Sequence, residues 1–259
     1  MSLSQEDAEA LRTAKRLLEH PSLAAKITNI VGTPMAKGFE LLPATWSEVV
    51  NSATRIALEQ ALNIALLTVD DTGKRTSSNR MHTLAVAAVG AAGGLFGLPA
   101  LAVELPVSTT VILRSIADIA RSEGEPLQSP EAKLACLEVF AFGGPSQGDD
   151  AMTAGYFTIR ASLAKAGSEA ARHIGQKGMV QEGAPALVRF MAQVASRFGV
   201  TVSEKLVAQA VPMVGAVGGA LINSVFIDHF QDIARGHFAI RRLERQYDPE
   251  LIKQAYDRL

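Results

Sequence analysis

Several scarcities bound this chain of 259 residues before any motif is sought. A single cysteine, Cys136, excludes an internal disulfide and fits a reducing compartment. Neither sign of charge is in surplus, with 25 Lys and Arg against 26 Asp and Glu. A nucleic-acid-binding surface needs basic residues in excess and gathered on one face, so no nucleic-acid partner is expected. Aromatic residues are 5% of the chain while hydrophobic residues are 48%. That leaves a core built mostly of Ala, Val and Leu, as packed helices use. Alternating polar and β-branched apolar residues, the mark of a half-buried strand, occur only briefly at Val200-Thr201-Val202. An all-α fold is therefore expected.

Signatures of familiar chemistry are missing as well. The glycine clusters at Gly90 and Gly215 have no following lysine to reach a phosphate, so neither is a P-loop. There is no His-Glu-x-x-His zinc pair. No cofactor is expected. Cys136 lies among apolar residues, Leu134-Ala-Cys-Leu-Glu-Val, where a buried structural thiol is the ordinary reading. The opening Met1-Ser-Leu-Ser-Gln-Glu-Asp lacks the basic-then-apolar pattern of a secretory signal, which predicts a cytoplasmic protein.

What the chain does have is two long uncharged runs, Thr83 to Val103 and Leu206 to Ile227. Val89-Gly90-Ala91-Ala92-Gly93-Gly94 in the first is echoed by Val214-Gly215-Ala216-Val217-Gly218-Gly219 in the second. Downstream, Asp118-Ile-Ala-Arg121 is echoed by Asp232-Ile-Ala-Arg235. Gly94 precedes Asp118 by 24 residues but Gly219 precedes Asp232 by only 13, so a degenerate repeat and two similar buried helices both fit. Each glycine costs an isolated helix about 1 kcal/mol relative to alanine. Close approach of two helix backbones offsets that cost. Gly90, Gly93, Gly94, Gly215, Gly218 and Gly219 are thus predicted helix-contact positions. Each run has the ~20 residues a membrane span needs. Yet the first holds four glycines and Pro99, the second Gln209, Pro212 and Asn223, and neither has an aromatic belt. A buried hairpin fits these runs better than a span.

The remaining pattern predicts cover for those two segments within a single helical domain. Residues 1–44 read as N-terminal amphipathic helices packing on the core, 45–247 as the main helical domain, and 248–259 as a C-terminal helix. Leu11, Ala14, Leu17 and Leu18 form the stripe of the first helix. Thr45 with Glu48 is a capping box opening a long helix. The glycines at 143, 144 and 199 read as stops, and Ser203-Glu204 as the opening of the second run.

Two places stand out as site candidates. Glu104 ends the first uncharged run, and a buried carboxylate is costly unless paired. Three explanations stand: Pro106 breaks the helix and leaves Glu104 at a polar end, an Arg or His reaches it across the core, or it is a catalytic or ligand-binding acid. The second place is Asp228-His229-Phe230-Gln231-Asp232-Ile233-Ala234-Arg235-Gly236-His237. Asp228 and Asp232 lie one turn apart, with Arg235 in reach of both. His237 joins the apolar stripe of Phe226, Phe230, Ile233, Ile240 and Tyr247. Carboxylates and imidazoles at this spacing can bind a metal, although one helix alone offers few convergent ligands. Glu104, Asp228, His229, Asp232 and His237 are accordingly the candidate ligand-binding residues, and no catalytic residue is assigned.

Glu104-Leu-Pro-Val-Ser-Thr-Thr110 and Arg114-Ser-Ile-Ala-Asp-Ile-Ala120 resemble the EcsC family of bacterial proteins. So do Val211-Pro-Met-Val-Gly-Ala-Val-Gly-Gly219, Asn223, Ala234, Phe238 and Arg241-Arg-Leu-Glu244. The likeness spans roughly Val49 to Tyr247. It implies an α-helical protein, supplies no catalytic residues, and suggests membrane association. Basic residues near the runs, Lys74, Arg75 and Arg80 before one and Arg241, Arg242 and Arg245 beyond the other, predict attraction to an anionic surface. The expected function is a non-enzymatic protein, peripheral at the inner face of the cell membrane or holding an apolar or lipid ligand between its glycine-rich helices. A helical hydrolase or metal-dependent enzyme using Glu104 and the Asp228–His237 cluster is the first alternative. A scaffold for a protein partner is the second.

Overall fold

Helix starts are written locally along this chain, and a computed structural model shows where they lead. It describes residues 3–19, 23–31, 42, 44–68, 98–143, 155–177, 185–210 and 215–259. Ser4 caps α1 (Gln5–Glu19), its Oγ accepting from the Asp7 amide at 3.1 Å. Helix α2 (Leu23–Val31) follows, then α3 (Trp46–Thr68), which starts directly after Thr45. Helix α4 is Leu98–Ser122. Gly124, at φ +79°, lets the chain leave it, and the Glu125 amide closes on the Ala120 carbonyl at 2.9 Å. Ser129 caps α5 (Pro130–Glu138), which tightens into a 3₁₀ turn over Val139–Phe142. Helices α6 (Tyr156–Lys177), α7 (Pro185–Ala210) and α8 (Gly215–Gln246) follow, and Asp248 caps α9 (Pro249–Asp257). Among the described residues there is no strand, and the fold is all-α.

Two predicted breaks are corrected. Pro106 does not end a helix: α4 runs through it. Proline removes one backbone bond, but Pro106 is buried, Leu105 beside it is fully enclosed, and packing holds the turn together. Gly199 does not end a helix either, nor does Ser203 begin one. Helix α7 continues through both, and the brief Val200-Thr201-Val202 run is helical. A glycine interior to a helix costs about 1 kcal/mol. Burial of Phe190, Val194, Phe198, Val202 and Val207 along the same helix outweighs it.

Helix α8 is the central post. It packs against α1, α2, α4, α7, α9 and the 3₁₀ turn, while α3 bridges α4 and α7. Phe140, Phe198, Phe226 and Phe230 meet at its middle, with ring centroids 4.9 to 6.3 Å apart. The close helix approach seen in the described residues is at Gly236. A Cβ there would lie 2.7 Å from Leu18 Cγ and 3.0 Å from the Ala14 carbonyl of α1. Gly90, Gly93 and Gly94 lie outside the described residues. Gly215, Gly218 and Gly219 fall in the first turns of α8, and Gly219 is buried. The second uncharged run ends α7 and opens α8, two helices in contact, while 211–214 between them lie outside the described residues.

Candidate functional site

The first uncharged run ends at Glu104 and the second begins after Lys205. These two bounding charges are each other's partner. Lys205 Nζ donates to Glu104 Oε1 at 2.5 Å, and the two side chains are 0% and 4% exposed. Helix α4 carries the acid, α7 the base, and α8 supplies Phe226, whose ring centre lies 4.7 Å from the ammonium. The ring face is negative and adds cation–π attraction where water is shut out. Burial lowers the Lys205 pKa, and the Glu104 carboxylate works against that. So Glu104 sits in the core with a cation reaching it across the helices. The partner is a lysine, where the sequence suggested Arg or His. A signal for it exists: Lys205 is the last charge before the second run, as Glu104 is the first after the other.

The remaining candidates are drawn to separate partners. Asp232 accepts from Arg235 at 2.8 Å and from Lys26 of α2 at 3.1 Å. Asp228 is exposed on α8; burial and the Asp232 charge raise its pKa. His229 donates from Nε2 to the Gly143 carbonyl at 2.6 Å, and burial pushes its pKa down to about 4, so the ring is neutral. Gly143 is needed there, because a Cβ would lie 2.7 Å from the Phe230 ring. His237 shares a 2.8 Å hydrogen bond with the Tyr156 hydroxyl and stacks near Phe142. Burial first, then Arg241 and Arg160, hold its pKa well below the usual imidazole value. Burial keeps both histidines neutral, and each is hydrogen-bonded to a different partner. Among the described residues no group of three or more His, Cys, Asp or Glu is placed to hold a metal.

The basic residues beyond the second run also have partners inside the fold. Arg241 holds Glu125 with two bonds of 3.0 and 2.9 Å, and Arg245 reaches the same carboxylate. Arg242 bridges Glu123 at 2.9 Å and Asp7 at 3.4 Å. Their charge is used to tie the end of α8 to α1 and to the turn after α4. Lys74, Arg75 and Arg80 lie outside the described residues.

Helices packed around the sealed Glu104–Lys205 pair, with no strand and no metal-ligating group among the described residues, define an all-helical protein class. Within it, this chain belongs to the EcsC protein family, whose model matches residues 5–243. The match takes in α1 and α2 as well as the span from Val49 onward that carried the resemblance. Comparison with curated proteins and with solved structures gave no match. No helix among the described residues is long and apolar enough to cross a membrane.

Proposed function

We propose that this EcsC family protein is non-enzymatic and binds lipid peripherally, turning its uncharged end toward a membrane surface. The observation that supports this is the Glu104–Lys205 pair. It brings the end of one uncharged run to the start of the other and cancels the charges that bound them. There the end of the first run and the start of the second lie together at a sealed ion pair. Val107 of α4 and Leu221 of α8 are 43% and 46% exposed, which offers apolar contact at low desolvation cost. Lys74, Arg75 and Arg80, just ahead of the first run, add about 1 kcal/mol each at an anionic surface, and salt screens that attraction. The metalloenzyme alternative has less support, since its candidate ligands go to different partners.

Flotation of the full chain with vesicles of phosphatidylglycerol or of phosphatidylcholine tests the reading. Recovery with the anionic vesicles at low salt, and release at high salt, is expected. Retention through alkaline carbonate would point to insertion of the runs. No recovery with either vesicle at any salt would sink the proposal.

A further inference from the structure

Helices α4 and α8 carry the same surface twice. From Val107 to Arg121 and from Leu221 to Arg235, each position of one helix is as exposed, half-buried or buried as the matching position of the other. The Asp-Ile-Ala-Arg echo fixes that register, and in both helices its aspartate holds its arginine at 2.8 Å. Ahead of the echo runs a stripe, Val107, Val111 and Arg114 on α4 and Leu221, Val225 and Asp228 on α8. Apolar residues match apolar residues, but the exposed charges at matching places have opposite signs. Among the described residues, neither Arg114 nor Asp228 belongs to an ion pair.

Both stripes face the same side of the molecule. Glu104 meets Phe226 through Lys205 at one end, Ser115 accepts from Gln231 at 2.9 Å midway, and Glu123 meets Arg242 at the other end. The two helices therefore run parallel. Ser115 comes one residue after Arg114, about 100° round the helix, while Gln231 comes three after Asp228, about 60° round in the opposite sense. Parallel neighbours that touch through opposite flanks face outward on one side. The Ser115–Gln231 bond also sets the stagger between matching residues at about 3 Å, within the reach of an arginine side chain. Helices α1 and α2 cover later turns of α8, near Gly236 and Asp232, so contact is confined to the stripes ahead of them.

We infer that this face pairs two copies of the chain about a twofold axis parallel to α4 and α8. Such an axis lays α4 of each copy on α8 of the other at the same height. Arg114 then meets Asp228 of the second copy, and the reciprocal pair forms as well, since an isologous contact makes every interaction twice. Val107 and Val111 meet Leu221 and Val225 in the same way. A twofold axis across the helices would instead put Arg114 on Arg114 and Asp228 on Asp228. Like charges in contact oppose that arrangement, so charge selects the parallel one. The patch is small beside the roughly 20–30 residues a side of a standard interface, which makes the dimer reversible and concentration-dependent. Pairing covers Val107 and Leu221, so it describes the chain in solution, away from lipid, and does not rest on the lipid reading.

Sedimentation equilibrium of the full chain without lipid, from about 1 to about 500 µM, reads the association. Wild type should pass from monomer to dimer across that range. Arg114→Asp sets acid against acid at both contacts and Asp228→Arg sets base against base, so each should weaken the dimer at least about tenfold. An equimolar mixture of the two variants restores opposite charges at both contacts and should regain wild-type association. Both residues are exposed, so neither reversal should move the melting temperature. Wild type that stays monomeric at the highest concentration would overturn the pairing. So would a dimer indifferent to either reversal, or a loss that mixing does not repair. If one reversal does not fold, the double variant R114D/D228R decides, because it keeps both pairs with their signs exchanged. Its association should equal that of wild type, and a monomeric double variant would overturn the pairing.

Discussion

The two halves of α8 meet the same problem, charge inside a helical core, in opposite ways. Its first half faces a single ion pair, Glu104–Lys205, sealed under the Phe226 ring. Its second half carries a mesh: Arg241 and Arg245 on Glu125, Arg242 on Glu123 and Asp7, and Glu244 on Arg160 through two bonds of 2.7 Å. Tyr247 adds a bond to Asp7 at 2.7 Å. In the mesh most partners keep some water, and Glu125 and Asp7 each have more than one donor residue. In the isolated pair neither holds. Removing one charge from a sealed pair strands the other in a medium that cannot solvate it. Removing one from a mesh leaves neighbours to take up the load. The first half should be brittle and the second forgiving.

The sharpest break is therefore Lys205→Met. It should destabilise by about 3–5 kcal/mol, because Glu104 is left buried and unpaired. Adding Glu104→Leu should recover most of that loss, since two apolar side chains of similar size need no solvation. Denaturant midpoints of wild type, both single variants and the double variant measure it. A Lys205→Met variant within about 1 kcal/mol of wild type, on the order of an exposed pair, would show that water reaches this site after all.

Next in size is Gly236→Leu, in the forgiving half but at a contact no neighbour can relax. Its Cβ would press on the Ala14 carbonyl at 3.0 Å and on Leu18. Overpacking of this kind costs about 1–3 kcal/mol. Helix propensity alone predicts the opposite sign, because Gly to Leu favours a helix interior. A melting temperature at or above wild type would remove the close approach of α1 to α8.

Smaller again is Arg241→Ala, about 1–2 kcal/mol, with Arg245 still on Glu125. Its clearer mark is in acid. Burial works to raise the Glu125 pKa, but Arg241 and Arg245 overcome it and hold the carboxyl below its usual value. A carboxylate depressed in the fold contributes stability above the unfolded value of 4.5, and loses it as pH falls through the folded one. Without Arg241 the acid-unfolding midpoint should move to higher pH. An unmoved midpoint would mean that Arg245 alone sets that carboxylate.

How much of this can be read from the chain differs between the same two halves. Helix class, the starts of α3 after Thr45 and of α9 at Pro249, and the burial of Cys136 rest on local pattern, and local pattern is printed in sequence. Glu104 is visible as an anomaly because charge in an uncharged run is a local oddity. Its partner lies 101 residues away, and nothing local names it. The bounding position of Lys205 is the one hint. Pro106 and Gly199 mislead for the complementary reason: both weaken a helix locally, and burial on α4 and α7 more than offsets that weakness. Arg241, Arg242 and Arg245 look like a free basic cluster, since charge counting cannot see that Glu125 and Glu123 fold back onto them. Gly236 draws no notice in sequence because it is a lone glycine, although it is the one against which α1 packs closely.

The last variant, Arg235→Ala, sets the lower end of the comparison. Three ion pairs on α7 and α8 have similar lengths: Lys205–Glu104 at 2.5 Å, Arg241–Glu125 at 2.9 Å and Arg235–Asp232 at 2.8 Å. If distance set their worth, removing any one would cost much the same. Burial differs greatly, since Arg235 is 42% exposed and Asp232 is 29% exposed. Lys26 also remains on Asp232 when Arg235 is gone. An exposed i,i+3 pair contributes only about 0.2–0.5 kcal/mol, and salt reduces it further. Arg235→Ala should therefore shift stability by less than about 0.5 kcal/mol at low salt and by nothing measurable at high salt. A loss comparable to that of Lys205→Met would make contact geometry, rather than removal of water, the quantity that separates the two halves of α8.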